Sequence, residues 1–235
     1  MFELIKNIEI EESTWKDKLF ITSDIDWASD EVLDFTINLF EKYNAKCTFF
    51  ATHQTDLISD IPDDYEIGLH PNFNFLLEGD FRYGKNYKEI IDYYNKLIPN
   101  CTSIRSHSMT QNTNILDYFS KIGFTHDVNH FIPNLNCVNL SPWKYWQNKM
   151  LKVPYFWEDD IHCIYGIEYN IDNIFNYKGI KVIDFHPIHI FLNTENLERY
   201  NSARPYLQDY TELKQFVNTS TYGTRDFLVD IIKSV

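Results

Sequence analysis

At 235 residues, 44% of them hydrophobic, the chain is long enough for one large α/β domain with a full core. A formal net charge of −13, with an isoelectric point near 4.9, gives a surface that repels phosphate backbones and argues against nucleic acid as a partner. No run approaches ~18 uncharged apolar residues, and Met1-Phe2-Glu3-Leu4-Ile5-Lys6 leads into acidic residues without an apolar signal core, so a cytoplasmic protein with no transmembrane segment is expected.

Strand and helix patterns alternate along the chain. Lys18 to Ile25 reads as a strand, followed by a helix over Glu31 to Tyr43 with Leu33, Ile37 and Phe40 on one face. Lys46 to Ala51 and Tyr65 to Leu69 are further strands. Tyr87 to Ile98 is helical and is stopped by Pro99-Asn100. Thr102 to Arg105 reads as a strand, and Ile115 to Ile122 as a helix closed by Gly123. Phe124 to Val128, Met150 to Tyr155 and Ile180 to Phe185 are the later strands, and Arg225 to Lys233 is a final amphipathic helix. Such alternation predicts a parallel sheet, open or closed into a barrel. With no composition break, the whole of 1–235 reads as a single domain, its motif-bearing core at about 18–190 and a helical portion at about 205–235.

Polar residues of catalytic type fall repeatedly at the ends of these strands. Asp24 and Asp26 close the first strand, and side chains at i and i+2 leave a strand on one face, so both carboxylates can address one centre. Crowded carboxylates need a cation or a shared proton. His70 follows the third strand, and a residue four positions on, here Asn74, reaches the same centre if the segment turns helically. Arg105 and His107 end the fourth strand, where the arginine can hold a carboxylate bidentately. His186 ends the last strand, at a rim position that suits a general acid, while His189 reads as structural. Trp157-Glu158-Asp159-Asp160 reads as a solvated acidic loop, with Asp160 the member able to touch substrate hydroxyls. His53, His126, His130 and His162 lack a partner at a telling spacing, and there is neither a glycine-rich phosphate loop nor a Gly-x-Ser-x-Gly elbow. The four cysteines (Cys47, Cys101, Cys137, Cys163) lie far apart and read as small buried hydrophobes in a reduced compartment. An aromatic content of 17% suits an aromatic-walled cleft for a sugar or another flat ligand, and an AT-rich genome accounts for it at least as well.

The order of these segments resembles the polysaccharide deacetylase superfamily, the carbohydrate esterases with the NodB homology domain, and in particular its divergent bacterial branch in surface-polysaccharide biosynthesis. Thr22-Ser23-Asp24-Ile25-Asp26 resembles the Thr-Phe-Asp-Asp segment and Lys46 to Ala51 the Ala-Thr-Phe-Phe strand. Glu66-Ile67-Gly68-Leu69-His70 resembles Glu-Ile-Gly-x-His, Arg105 begins what looks like Arg-x-Pro-Tyr, Gly123 to Asp127 resembles Gly-Tyr-x-x-Asp, and Phe185-His186 the terminal Leu-His. Three positions depart from the pattern. The second histidine of His-x-x-x-His is Asn74, the Pro-Tyr is His107-Ser108, and an extra residue separates the aspartates.

The resemblance implies a distorted (β/α) barrel of about seven parallel strands and hydrolysis of an N-acyl group, foremost acetyl, on a sugar. It implies one divalent metal ion, zinc first, with cobalt, nickel, iron and manganese as alternatives. Asp26, His70 and Asn74 would hold it, the third ligand otherwise being His107 or water. The ion would polarise the acyl carbonyl and lower the pKa of a water from about 15.7 to about 7. Asp24 would be the general base oriented by Arg105, His186 the acid, and His107, Asp160 and Trp27 substrate contacts. The expected partner is an N-acylated sugar or a nucleotide- or lipid-linked saccharide, received by a basic patch near Arg105 and Arg82. A deformylase or other amide hydrolase on this fold, or a catalytically silent sugar-binding or scaffold barrel, are the other readings.

Overall fold

The structure, a computed structural model, describes residues 1–59, 61–62, 64–133 and 138–235; Cys137 lies outside them. Nine strands form one sheet: β1 (Leu19–Asp24), β2 (Thr48–Ala51), β3 (Glu66–Leu69), β4 (Ser103–Ile104), β5 (His126–Phe131), β6 (Trp143–Lys144), β7 (Leu151–Tyr155), β8 (Trp157–Glu158) and β9 (Lys181–Phe185). Their order is β6-β7-β5-β4-β3-β2-β1-β9-β8, and every pairing is parallel except β6 with β7. Only Phe156 separates β7 from β8, and its N–H donates to Val182 O at 3.2 Å. The chain therefore crosses from the neighbour of β5 to the neighbour of β9 in one step. That crossing curls the sheet into a half-barrel whose parallel lanes are β1 to β5, β9 and the β7–β8 segment, the antiparallel β6 lying outside them.

Because the lanes run in one direction, the residues that follow them share one rim. β1 is buried along its whole length, as expected of a parallel strand covered on both faces. Leu33, Ile37 and Phe40 of the helix Asp30–Lys42 pack on the core, as their spacing requires. The helices Tyr87–Leu97 and Thr113–Lys121 are each started by an asparagine, Asn86 and Asn112, whose side chain accepts from first-turn N–H groups. Pro187 occupies the first turn of the helix Pro187–Leu192, where its missing N–H costs nothing. Gly68 is required for a packing reason. A Cβ there would meet the Phe50 ring at 2.6 Å and Ser103 O at 3.1 Å.

No helix among the described residues is long and apolar enough to cross a membrane. The short helices between β8 and the C-terminus, such as Asp159–Tyr165 and Leu197–Ala203, have no periodic stretch long enough to read in advance.

Candidate active site

Asp24, the last residue of β1, is 5% exposed and faces inward. Its Oδ1 accepts from Arg105 Nη1 at 2.9 Å. Arg105 follows β4, is fully buried, and lies between the rings of Phe50 (4.5 Å) and Tyr155 (4.3 Å). This is neither a surface ion pair nor a bidentate clasp on one carboxylate. The same Nη1 also donates to Asp184, while Nη2 donates to the Thr22 hydroxyl and Nε to Val128 O. Two carboxylates thus share one guanidinium. Burial pushes the Asp184 carboxyl up to about 7, Arg105 opposes that rise, and the neighbouring Asp24 adds to it.

Asp26 does not reach the centre by strand alternation. β1 ends at Asp24, Ile25 is buried, and both Asp26 (φ 35) and Trp27 (φ 56) sit in left-handed backbone. Such conformations cost on the order of 1–3 kcal/mol each and persist only where the surroundings fix them. Here Trp27 N–H donates to Thr52 Oγ1 at 3.1 Å, and Gln208 Nε2 donates to Trp27 O at 2.8 Å.

The turn brings Asp26 Oδ1 to 3.4 Å from His70 Nε2 and 3.2 Å from His107 Nδ1. The three ligand-type atoms lie within 4.8 Å of one another, and Asp26 Oδ1 is buried without a well-formed hydrogen bond. Burial would raise the Asp26 carboxyl, but His107 and His70 outweigh it and hold the group well below the usual range. A buried, ionised oxygen with no proper donor, faced by two imidazole nitrogens, fits a divalent ion bound by N, N and O with positions left open. Asn74 begins the helix Asn74–Leu77, and its amide donates to Ser108 Oγ at 3.0 Å.

His186 follows β9. Its Nδ1 pairs with Asp159 Oδ1 at 2.7 Å, its backbone N–H donates to Asp159 Oδ2 at 2.8 Å, and its Nε2 lies 3.6 Å from Asp26 Oδ2. Burial favours the neutral ring, yet Asp159 and then Asp26 overcome it, so the imidazolium persists well above the ordinary histidine pKa. The acidic run is therefore not a solvated loop. Trp157 and Glu158 form β8, and Asp159 is fully buried under His186. Asp159 and Asp184 were absent from the site read from the sequence. Their signal was position alone, one directly after a strand and the other inside one.

A cavity of about 260 Å³ opens over these groups, lined by Asp24, Asp26, His70, Arg105, His107 and His186, with Asp160 and Glu158 at its wall. Trp27 meets His107 edge-to-face at 5.1 Å. His189 is buried and pairs with Thr194 Oγ1 at 3.0 Å, a structural role. Arg82 is exposed, pairs with Asp80 at 2.6 Å and does not line the cavity, so it forms no basic patch with Arg105.

A curled parallel half-barrel that gathers Asp24, Asp26, His70, His107 and His186 on one rim is the architecture of a carbohydrate-deacetylase type of hydrolase. The profile of the WbmS-like polysaccharide deacetylases matches residues 21–204, and the chain belongs to this family. It is similar to the crystal structure of WbmS from Bordetella bronchiseptica, described as a proposed polysaccharide deacetylase involved in O-antigen biosynthesis. The identity is 41%, the TM-score 0.93, and the match covers 99% of this chain and 97% of that one. A proposed polysaccharide deacetylase from Mycobacterium smegmatis is 14% identical with a TM-score of 0.45, over 92% of this chain and 89% of that one. A family 4 carbohydrate esterase from Bacillus anthracis is 12% identical with a TM-score of 0.39, over 94% and 85%. No curated protein sequence matches the chain.

Proposed function

We propose that the chain is a metal-dependent N-deacetylase, a single catalytic domain that removes an acetyl group from an amino sugar of a surface-polysaccharide precursor. The observation that carries this reading is Asp26 Oδ1, buried without a proper donor between His70 Nε2 and His107 Nδ1. The similarity to WbmS supports a saccharide of O-antigen type as substrate. Asp26, His70 and His107 are the ligands in this reading, and Asn74 holds the neighbouring loop through Ser108. Two imidazoles and one carboxylate suit zinc best, with cobalt, nickel, iron and manganese as competitors. When bound, the ion supplies Lewis-acid polarisation of the acyl carbonyl and acidifies water.

The chain's own groups do the proton work. Asp24, fixed by Arg105, takes the proton of the attacking water as the C–O bond forms. His186, kept protonated by Asp159, gives its Nε2 proton to the amine as the C–N bond breaks, releasing acetate and a free amino sugar. Arg105 cannot leave Asp24, because burial and two aromatic faces hold it in place.

Elemental analysis of tag-free, zinc-soaked protein tests the reading beside Asp26→Ala and His107→Ala. About one divalent ion per chain, lost in both variants, is expected, together with acetate release from N-acetylated sugars by the loaded protein. Failure of the native chain to take up any ion would overturn the assignment.

A further inference from the structure

A second, larger cavity of about 520 Å³ adjoins the catalytic one and shares Asp26, His107, Asp160 and His186 with it. Ligand clefts of this scale, beside a reacting centre, accommodate the part of a substrate that does not react. Its outer wall includes Trp27, Tyr200, Arg204 and Gln208. The left-handed turn at Asp26–Trp27 thus has two outputs. It sends one carboxylate to the candidate ligand triad and places the next residue, Trp27, in the wall of the second cavity. Gln208, which lines that cavity, also holds the Trp27 carbonyl, so the C-terminal region and the catalytic turn are built around the same space.

The charge of this space is ordered. Asp26 and Asp160 stand beside His107 and His186 at the end shared with the catalytic cavity, whereas Arg204, the one arginine or lysine among the described residues of the lining, stands on the wall that the catalytic cavity lacks. Arg204 is exposed and makes no ion pair among the described residues. In a chain with 34 acidic against 21 basic side chains, an unpaired guanidinium lining a cleft offers an anion a planar fork of donors.

We propose that this second cavity is a subsite for an anionic group carried by the saccharide, with Arg204 its counter-ion and Trp27 the surface on which the intervening sugar rests. The position of Arg204 orients the ligand, the N-acyl end toward the triad and the carboxylate or phosphate toward Arg204. The proposal rests on the deacetylase reading for that orientation but not for the anion contact itself.

Three probes test it: a neutral methyl glycoside of N-acetylhexosamine, the matching N-acetylhexosaminuronic acid, and a uridine-diphosphate-linked N-acetylhexosamine. Binding is measured by calorimetry on zinc-loaded protein carrying Asp24→Asn, and acetate release on the native chain. The expected result is that Arg204→Glu weakens one charged probe roughly ten- to hundredfold more than the neutral one, while Arg204→Lys retains most of the preference. Which charged probe responds identifies carboxylate or phosphate as the recognised group. Equal weakening of all three probes, or no preference of the native protein for either charged one, overturns the subsite. Acetate release without any Arg204-dependent preference sinks the subsite and leaves the deacetylase reading standing. Arg204-dependent binding without acetate release from any probe does the reverse.

Discussion

His186 gives Asp159 two hydrogen bonds, one from ring Nδ1 at 2.7 Å and one from its own backbone N–H at 2.8 Å. Both carboxylate oxygens are used, and the carboxylate is fully buried, so it can neither rotate away from the ring nor be screened by water. Burial disfavours the imidazolium, and Asp159 reverses that preference.

Asp159→Asn tests this pairing through pH. A group that donates a proton is competent below its pKa, so the rate falls as pH rises through that value. Removing the Asp159 charge lowers the His186 pKa, and the alkaline limb of kcat/KM therefore moves to lower pH. The rate at the optimum falls by up to roughly 10²- to 10⁴-fold. A pH profile of the zinc-loaded variant with an unmoved alkaline limb would place the proton donor elsewhere.

The third ligand is decided by a pair of variants. His107→Ala removes a nitrogen 3.2 Å from Asp26 Oδ1, and zinc affinity is expected to fall by more than about 100-fold. Asn74→Ala removes only the donor to Ser108 Oγ, and a fall of less than about tenfold is expected. Zinc titration by calorimetry reads both, and the reverse ranking would restore Asn74 as the ligand.

How much of this was legible in the sequence depends on how local each signal is. Strands such as Leu19–Asp24 and Lys181–Phe185 are apolar runs ended by polar residues, and run length and period suffice to find them. The placement of Asp24, His70, Arg105 and His186 on one rim followed from the parallel order alone. Asp159 was hidden because a carboxylate next to two other acids looks solvated until a distant strand lays His186 over it. Asp184 was hidden for the complementary reason. Its partners, Thr22 and Arg105, are 162 and 79 positions away, and strand registry brings them together. The route of Asp26 was also illegible, since period-two alternation describes a strand and the strand had already ended.

Gly68→Ala asks whether the support of Arg105 is a packing device. The added Cβ would sit 2.6 Å from two carbons of the Phe50 ring, the same ring that lies 4.5 Å from the Arg105 guanidinium. Overpacking of this kind costs about 1–3 kcal/mol, and a chain of this size loses roughly 2–4 °C of Tm per kcal/mol. Calorimetry should show that loss, with a fall in kcat at unchanged zinc content. Full activity would mean that Phe50 yields without disturbing the base.

Asn129→Ala tests the support of the His107 loop. Asn129 Oδ1 accepts from Ser106 N–H at 2.7 Å, and Asp127 Oδ1 holds Asn129 through its backbone N–H (2.9 Å) and its amide (2.7 Å). Lys152, buried beside Asp127, ties the set to Gln111 at 2.9 Å. Immediately beyond His107, Ser108 (φ 55) and Met109 (φ 53) are left-handed, so the loop depends on fixation from its N-terminal side. Truncating Asn129 leaves the buried Ser106 N–H without its acceptor, a loss of about 1–3 kcal/mol of stability. Because Ser106 adjoins His107, zinc affinity should drop by roughly 10- to 100-fold as well. Thermal unfolding and zinc titration on one preparation separate the two effects. A stability loss with native zinc affinity would show that His107 keeps its place without this network.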